Sequence, residues 1–192
     1  MPETMPAVVG RSPVVVGLDT SLTATGIASS EGWCRTVGWT DKKRLITRLP
    51  HIERAQALAT VLAAIVQAVS TPDMVVMETP ALSRAGGGAH ERGWLWWETY
   101  RRLADAGVPV GLMSTGQRAI YATGKGTAGK SVVVDAVARR WPAWMTGGDD
   151  NQADAVTLMA AGRDWAGHPI AQVPKAHRRA LDAAQWPQGV RA

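Results

Sequence analysis

Phenylalanine is absent from this chain of 192 residues, and cysteine occurs only at Cys34. A single thiol rules out an internal disulfide or a cysteine-built zinc site, and it fits a reducing compartment. The four histidines, His51, His90, His168 and His177, do not fall at metal-ligand spacing. The first ten residues carry no basic segment followed by a long apolar core, and no apolar run approaches the roughly 20 residues of a membrane span. Together these absences predict a soluble, cytoplasmic protein with no membrane partner. Nine tryptophans and no phenylalanine make an unusual exchange, which nothing in the sequence explains beyond some of the indoles filling the core. What is present in surplus is positive charge: 21 Lys and Arg against 16 Asp and Glu leave a net +5, carried mainly by arginine. That balance favours a polyanionic partner, and the length suits one domain with a sizeable core.

Two apolar runs end on an acid. Val14-Val15-Val16-Gly17-Leu18-Asp19-Thr20-Ser21 is short and rich in β-branched residues, as a buried strand should be. The small residues after it suggest a tight turn into a second strand, Gly26-Ile27-Ala28-Ser29. Asp19 then sits at the turn, either hydrogen-bonding its own backbone or serving as a ligand. The second such run is Met74-Val75-Val76-Met77-Glu78, with Pro72 and Pro80 at its ends, where no ladder donor is lost. Adjacent strands of this kind would bring like charges together, which is costly unless a cation lies between them. A divalent metal is the natural remedy.

Between these runs a third strand is expected over Trp33 to Trp39, then a solvated Asp41-Lys42-Lys43-Arg44 loop. A helix follows from about His51 to Val69, with Leu58, Val61, Leu62, Ile65 and Val69 along one face. It crosses over to the Glu78 strand, making a β-α-β unit. Ala81 to His90 is too rich in glycine to be regular; it reads either as a surface loop or as a flap bringing Arg84 and Arg92 to a phosphate backbone. A helix from about Glu91 to Ala106 carries Trp94, Trp96, Trp97 and Tyr100, mostly core or dimer interface, with one or two rings able to stack on bases.

Val108 to Met113 gives a further strand, and Ser114 or Thr115 can cap the short helix after it. Gly124-Lys125-Gly126-Thr127-Ala128-Gly129-Lys130-Ser131 then matches the phosphate-loop pattern G-x-x-x-x-G-K-[ST] letter for letter. The context is wrong, because such a loop leaves a buried strand directly and Ala119 to Ala122 reads as helix or coil. No later strand ends in an acid to hold magnesium. Two lysines in a glycine-rich turn can still hold a nucleic-acid phosphate. After a helix ending near Trp141, Asp149-Asp150-Asn151-Gln152-Ala153-Asp154-Ala155 opens a last helix running to about Trp165. Asp149 or Asp150 can cap it. Asp154 lies deeper, among apolar residues, and shares a face with Asp150 and Asn151. A carboxylate there needs a partner, and a metal at Asp19 and Glu78 would provide one.

Taken together, G-L-D-T-S-x-x-x-x-G around Asp19, V-V-M-E around Glu78, T-G-K-G-T-A-G-K, and D-D-N-Q-A-D-A resemble the RuvC family of Holliday junction resolvases, especially its phage-type members. The resemblance spans about residues 12 to 165 and leaves 166–192 as a basic, loosely ordered tail. It implies an α/β, RNase H-like fold: a mixed five-stranded β-sheet flanked by α-helices, as a homodimer cutting branched DNA with magnesium or manganese. By the same resemblance Asp19, Glu78 and Asp154 are metal-binding acids and Lys130 lies near the DNA backbone; Arg84, Arg92, Arg118 and Lys125 are expected as further DNA contacts from their positive charge alone. Two Mg2+ (or Mn2+) ions would activate water and stabilise the leaving 3′ oxygen, leaving 5′-phosphate and 3′-hydroxyl ends. The all-carboxylate site suits their preference for hard oxygen donors.

The chain departs from the bacterial pattern twice. Asn151 stands three residues before the last Asp where bacterial members have Asp or His, so Asp150 is the expected fourth ligand and Asn151 the fallback. Ala81 replaces an aromatic that stacks at the crossover, which makes looser cleavage of forks or flaps plausible. The rivals are a non-catalytic branched-DNA-binding protein, a P-loop NTPase, and a sugar kinase or actin-like ATPase. The last of these needs a second glycine-rich phosphate motif and roughly twice the chain.

Overall fold

A computed structural model describes residues 11–41, 43–80 and 88–188. The chain enters through strands β1 (Val15–Asp19), β2 (Thr25–Ser29) and β3 (Trp33–Val37), followed by a short 3-10 turn at Ile46–Arg48. Then come α1 (His51–Val69), β4 (Met74–Glu78), α2 (Ala89–Asp105), β5 (Val110–Met113), α3 (Thr115–Thr123), α4 (Lys130–Arg140), α5 (Asp150–Trp165) and α6 (Lys175–Asp182). The five strands form one mixed sheet in the order β3-β2-β1-β4-β5. β1, β2 and β3 make an antiparallel meander, whereas β4 and β5 run parallel to β1. This is the expected RNase H-like sheet flanked by helices, and α1 is the crossover of the β1-α1-β4 unit.

Both faces of the sheet are buried, so β1 and β4 read as continuous apolar runs rather than alternating ones. The alternation survives as a choice of layer. Val16, Leu18, Val75 and Met77 pack under α1 and α2, while Val15, Met74 and Val76 pack under α5 and its neighbours. With a period of two, Asp19 and Glu78 project on the second of these faces, where α5 lies. Glycines let α5 come in close. A Cβ on Gly17 would fall 2.0 Å from the Ala155 carbonyl oxygen, and one on Gly26 would fall 1.9 Å from that of Asn151. The backbone of α5 therefore rests directly on β1 and β2, which sets its first turns above the end of β1.

Two expectations change. Helix α1, with 19 residues and a mean hydropathy of 1.4, does reach the length and composition of a membrane span. It buries Leu58, Val61, Leu62, Ile65 and Val69 against the sheet, as a core helix does. The tail after 166 is not loosely ordered over the described residues. Ala180 and Leu181 of α6 join the core beside Tyr121, and Gln185 pairs with Leu112 on the edge strand β5 through two backbone hydrogen bonds of 2.7 and 2.9 Å. Trp186 stacks on Trp165 at 4.7 Å and covers Gly111. A short basic helix set between prolines gives little periodicity to read, and its apolar side is recognisable only against its partners.

Candidate acidic site at the strand ends

The site is assembled by the ends of β1 and β4 and by two helices. Glu78 closes β4, where Trp96 Nε1 donates to its carbonyl oxygen at 2.8 Å and the following amide, Thr79 N, donates to Met113 O at 2.9 Å. Helix α3 starts just after the neighbouring strand β5 with a capping box. Gln117 N donates to Ser114 Oγ at 3.2 Å, and Ser114 N donates to Gln117 Oε1 at 2.6 Å. That cap aims the first turn of α3 at Glu78. Thr115 Oγ1 donates to Glu78 Oε1 at 2.7 Å, and Arg118, one turn on, donates from Nε to Glu78 Oε2.

Arg118 also donates from Nη1 to Asp154 Oδ1, bridging the two acids, and is itself only 6% exposed. On α5, Asp149 is the N-cap: its Oδ1 accepts from Asn151 N at 2.9 Å and Gln152 N at 3.1 Å, and its Oδ2 accepts from Thr36 Oγ1 at 3.2 Å. Burial would raise its carboxyl, but these hydrogen bonds prevail and hold it below the ordinary value. Asp150 begins the helix proper and pairs with Lys130, the first residue of α4. Asn151 does not turn toward this pair; its Nδ2 donates to the Asp149 carboxylate at 3.3 Å.

Asp19 shows how much negative charge has gathered. Burial, then the nearby Glu78, push its carboxyl from 3.8 up to about 7, with Asp150 adding to the rise and Arg118 and Lys130 opposing it. The four acids expected from the sequence are thus brought to one end of the sheet. In this arrangement, however, no group of three His, Cys, Asp or Glu among the described residues is set to hold an ion together. The two cations pair with three of the four carboxylates, and Asp19 is left with a raised affinity for a proton. The donor set still fits a hard divalent cation, since it is all oxygen and short of positive charge at Asp19.

The expected DNA contacts divide. Lys125 and Lys130 are exposed on and beside the Gly124–Gly129 loop, and Arg92 is exposed in the first turn of α2. Arg84 lies outside the described residues. Arg118 is a correction: it is not a surface cation but a buried bridge between Glu78 and Asp154. Its role was missed because a charged residue in a short helix reads as solvated, and that of Thr115 because a hydroxyl at a helix start reads as a cap. The available signal was their one-turn spacing directly after a strand parallel to the one ending in Glu78. The Gly124–Lys130 segment leaves helix α3, not a strand, which removes the structural basis of a phosphate loop.

No family model and no curated protein sequence matches the chain. Among solved structures it resembles RuvC of Thermus thermophilus, at 22% identity over 84% of this chain and 99% of that one, with a TM-score of 0.51. T. thermophilus RuvC in complex with a Holliday junction substrate matches at the same identity and coverage, with a TM-score of 0.52. At this identity the likeness establishes the RuvC-like fold.

Proposed function

We propose that the chain is a metal-dependent, structure-selective endonuclease that hydrolyses phosphodiester bonds in branched DNA, Holliday junctions among its substrates. The observation that carries the reading is the convergence of Asp19, Glu78, Asp150 and Asp154 at one end of the sheet, with Lys130 and the Gly124–Lys130 loop at its margin. A fold shared with a protein seen on a Holliday junction supports it. When bound, two magnesium or manganese ions would activate water for in-line attack and offset charge on the departing 3′ oxygen, leaving 5′-phosphate and 3′-hydroxyl ends.

The chain's own residues do the rest. Asp19, Glu78, Asp150 and Asp154 would hold the ions. The Thr115 hydroxyl fixes the Glu78 carboxylate, and Arg118 sets the spacing between Glu78 and Asp154. Burial and Glu78 push the Asp19 carboxyl up to about 7, so a cation held there would compete with a proton for it. Lys130 and Lys125 would take phosphates of the backbone, contacts that position DNA without reading sequence. Two copies would pair through the helical face where Ile52, Trp94 and Trp97 are 70%, 40% and 63% exposed. The 2.8 Å Arg54–Glu91 ion pair sets the first turns of α1 and α2 side by side on that face.

One observation favours a second reading, a non-catalytic branched-DNA-binding protein: Arg118 already occupies Glu78 and Asp154. Labelled four-way junctions, flaps and linear duplex incubated in magnesium, with calcium as control, separate the two. Magnesium-dependent cuts confined to branched DNA are expected. Binding without cleavage of any branched substrate would leave the binding protein.

A further inference from the structure

Helix α6 forms a ridge that the acidic site does not use. Ala180 and Leu181 anchor it, while Lys175, Arg178 and Arg179 are exposed. On one flank is a cleft of about 630 Å³ bordered by these three cations and by the stacked Trp165 and Trp186. On the other is a cleft of about 340 Å³ bordered by Arg139, Arg140 and His177. Arg178 is held in place rather than loose. It donates from Nε to Asp164 Oδ2 at 3.0 Å and pairs through Nη2 with Oδ1 at 2.8 Å, and Asp164 is only 3% exposed while half of the Arg178 side chain stays in solvent.

Arg179 Nη2 reaches the Gly124 carbonyl oxygen at 3.4 Å, which sets it beside Lys125. From there the loop leads to Lys130 at the acidic site. Asp164 offsets Arg178, Asp135 offsets Arg139, and Asp182 is the one acid of α6. Among the described residues, Lys125, Lys175 and Arg179 enter no ion pair. Unpaired cations on a packed scaffold repel one another, and a polyanion laid along them relieves that repulsion while releasing its own counterions.

We infer that α6 is a second DNA-contacting surface, which grips the phosphate backbone of a duplex arm leading away from the site of cleavage. The inference rests on the nuclease reading above. The continuity of the cationic track with the Gly124–Lys130 loop favours DNA over an acidic protein segment, which would need no such connection. Indoles in the larger cleft border the track without reading sequence, so the contact should be indifferent to base composition.

The test is fluorescence anisotropy of a labelled four-way junction over a salt series in calcium, using the full chain. The Lys175→Glu/Arg179→Glu double variant should melt like wild type, since both side chains are exposed and outside ion pairs. It should bind the junction about tenfold more weakly near physiological salt, and its log K against log salt slope should be shallower by about two. Arg48→Glu/Arg102→Glu changes net charge equally, on the α1–α2 side of the sheet, and should bind like wild type. Equal weakening by both double variants, or none by the α6 variant, overturns the inference. So does polyglutamate that displaces the junction as well, charge for charge, as unlabelled duplex does. Failure of wild type to bind any DNA would bring down the nuclease reading itself, a result distinct from these.

Discussion

Asp19 and Arg118 are two answers to the same excess of negative charge, and each predicts a different behaviour. The Asp19 carboxyl is raised from 3.8 to about 7 by burial and by Glu78. The folded state therefore binds this proton more tightly than the unfolded chain. Its stabilising contribution is full below about pH 4 and is lost as pH rises through 7, by about 1.4 kcal/mol for each unit of separation. Without metal, wild type should lose stability over that window in denaturant titrations, and Asp19→Asn should be flatter and more stable than wild type at pH 8. The same variant should bind junctions at least as well as wild type yet cleave none, since it removes a ligand and a repulsive charge together. Loss of folding with loss of binding would make Asp19 a turn residue only. Arg118→Met leaves Glu78 and Asp154 buried without their counter-charge, a loss on the order of 3 kcal/mol. Manganese should restore part of that melting temperature, because it answers the same charge. No recovery at millimolar manganese would mean that these acids do not address a cation.

At the scale of elements, α5 carries half of the site, and its seating on glycine is the vulnerable point. Gly17→Ala drives a methyl into the Ala155 carbonyl and the Met159 amide, backbone atoms that cannot swing aside. It should cost about 1–3 kcal/mol or more, and cleavage should fall further than stability because Asp150 and Asp154 move off β1. Wild-type cleavage at matched temperature below the melting point would show that the helix height does not matter. The register of α5 also bears on its two candidate ligands. Asp150 faces Lys130 and influences Asp19, whereas Asn151 is spent on the Asp149 cap. Asp150→Asn should therefore lower the rate by orders of magnitude, while Asn151→Ala should leave turnover nearly intact. The opposite ranking in a magnesium and manganese rate scan would name Asn151 the ligand. Much of this was legible beforehand, because β1 and β4 are short apolar runs that each stop on an acid, α1 carries a long apolar stripe, and α5 opens on acids and sets Asp154 among apolar residues. The inward turn of Arg118 was not legible, since its partners Glu78 and Asp154 lie 40 and 36 positions away in the chain.

At the scale of the whole molecule, the chain after 166 finishes the fold as well as adding charge to it. Parallel strand β5 is the sheet edge, and an edge of unpaired amides and carbonyls invites association with other chains. Here Gln185 pairs with Leu112, and Trp186 lies over Gly111, donating from Nε1 to Leu181 O at 2.7 Å and stacking on Trp165. The indole thus ties the end of α5, the end of α6 and the sheet edge into one layer. Trp186 is half-buried, so its removal should cost about 2 kcal/mol, below the 3–5 kcal/mol of a fully buried Trp→Ala. Truncation after Val173 removes the ridge, the edge pairing and the stack together, and it bares Tyr121 and the Asp164 carboxylate, which Arg178 now answers. A truncated chain should melt well below wild type and aggregate on heating, while Trp186→Ala should remain monodisperse with a modest loss. The comparison is made by thermal denaturation with light scattering. A truncation that melts with wild type and stays monodisperse would mean that the sheet edge needs no cover and that α6 is only an accessory surface.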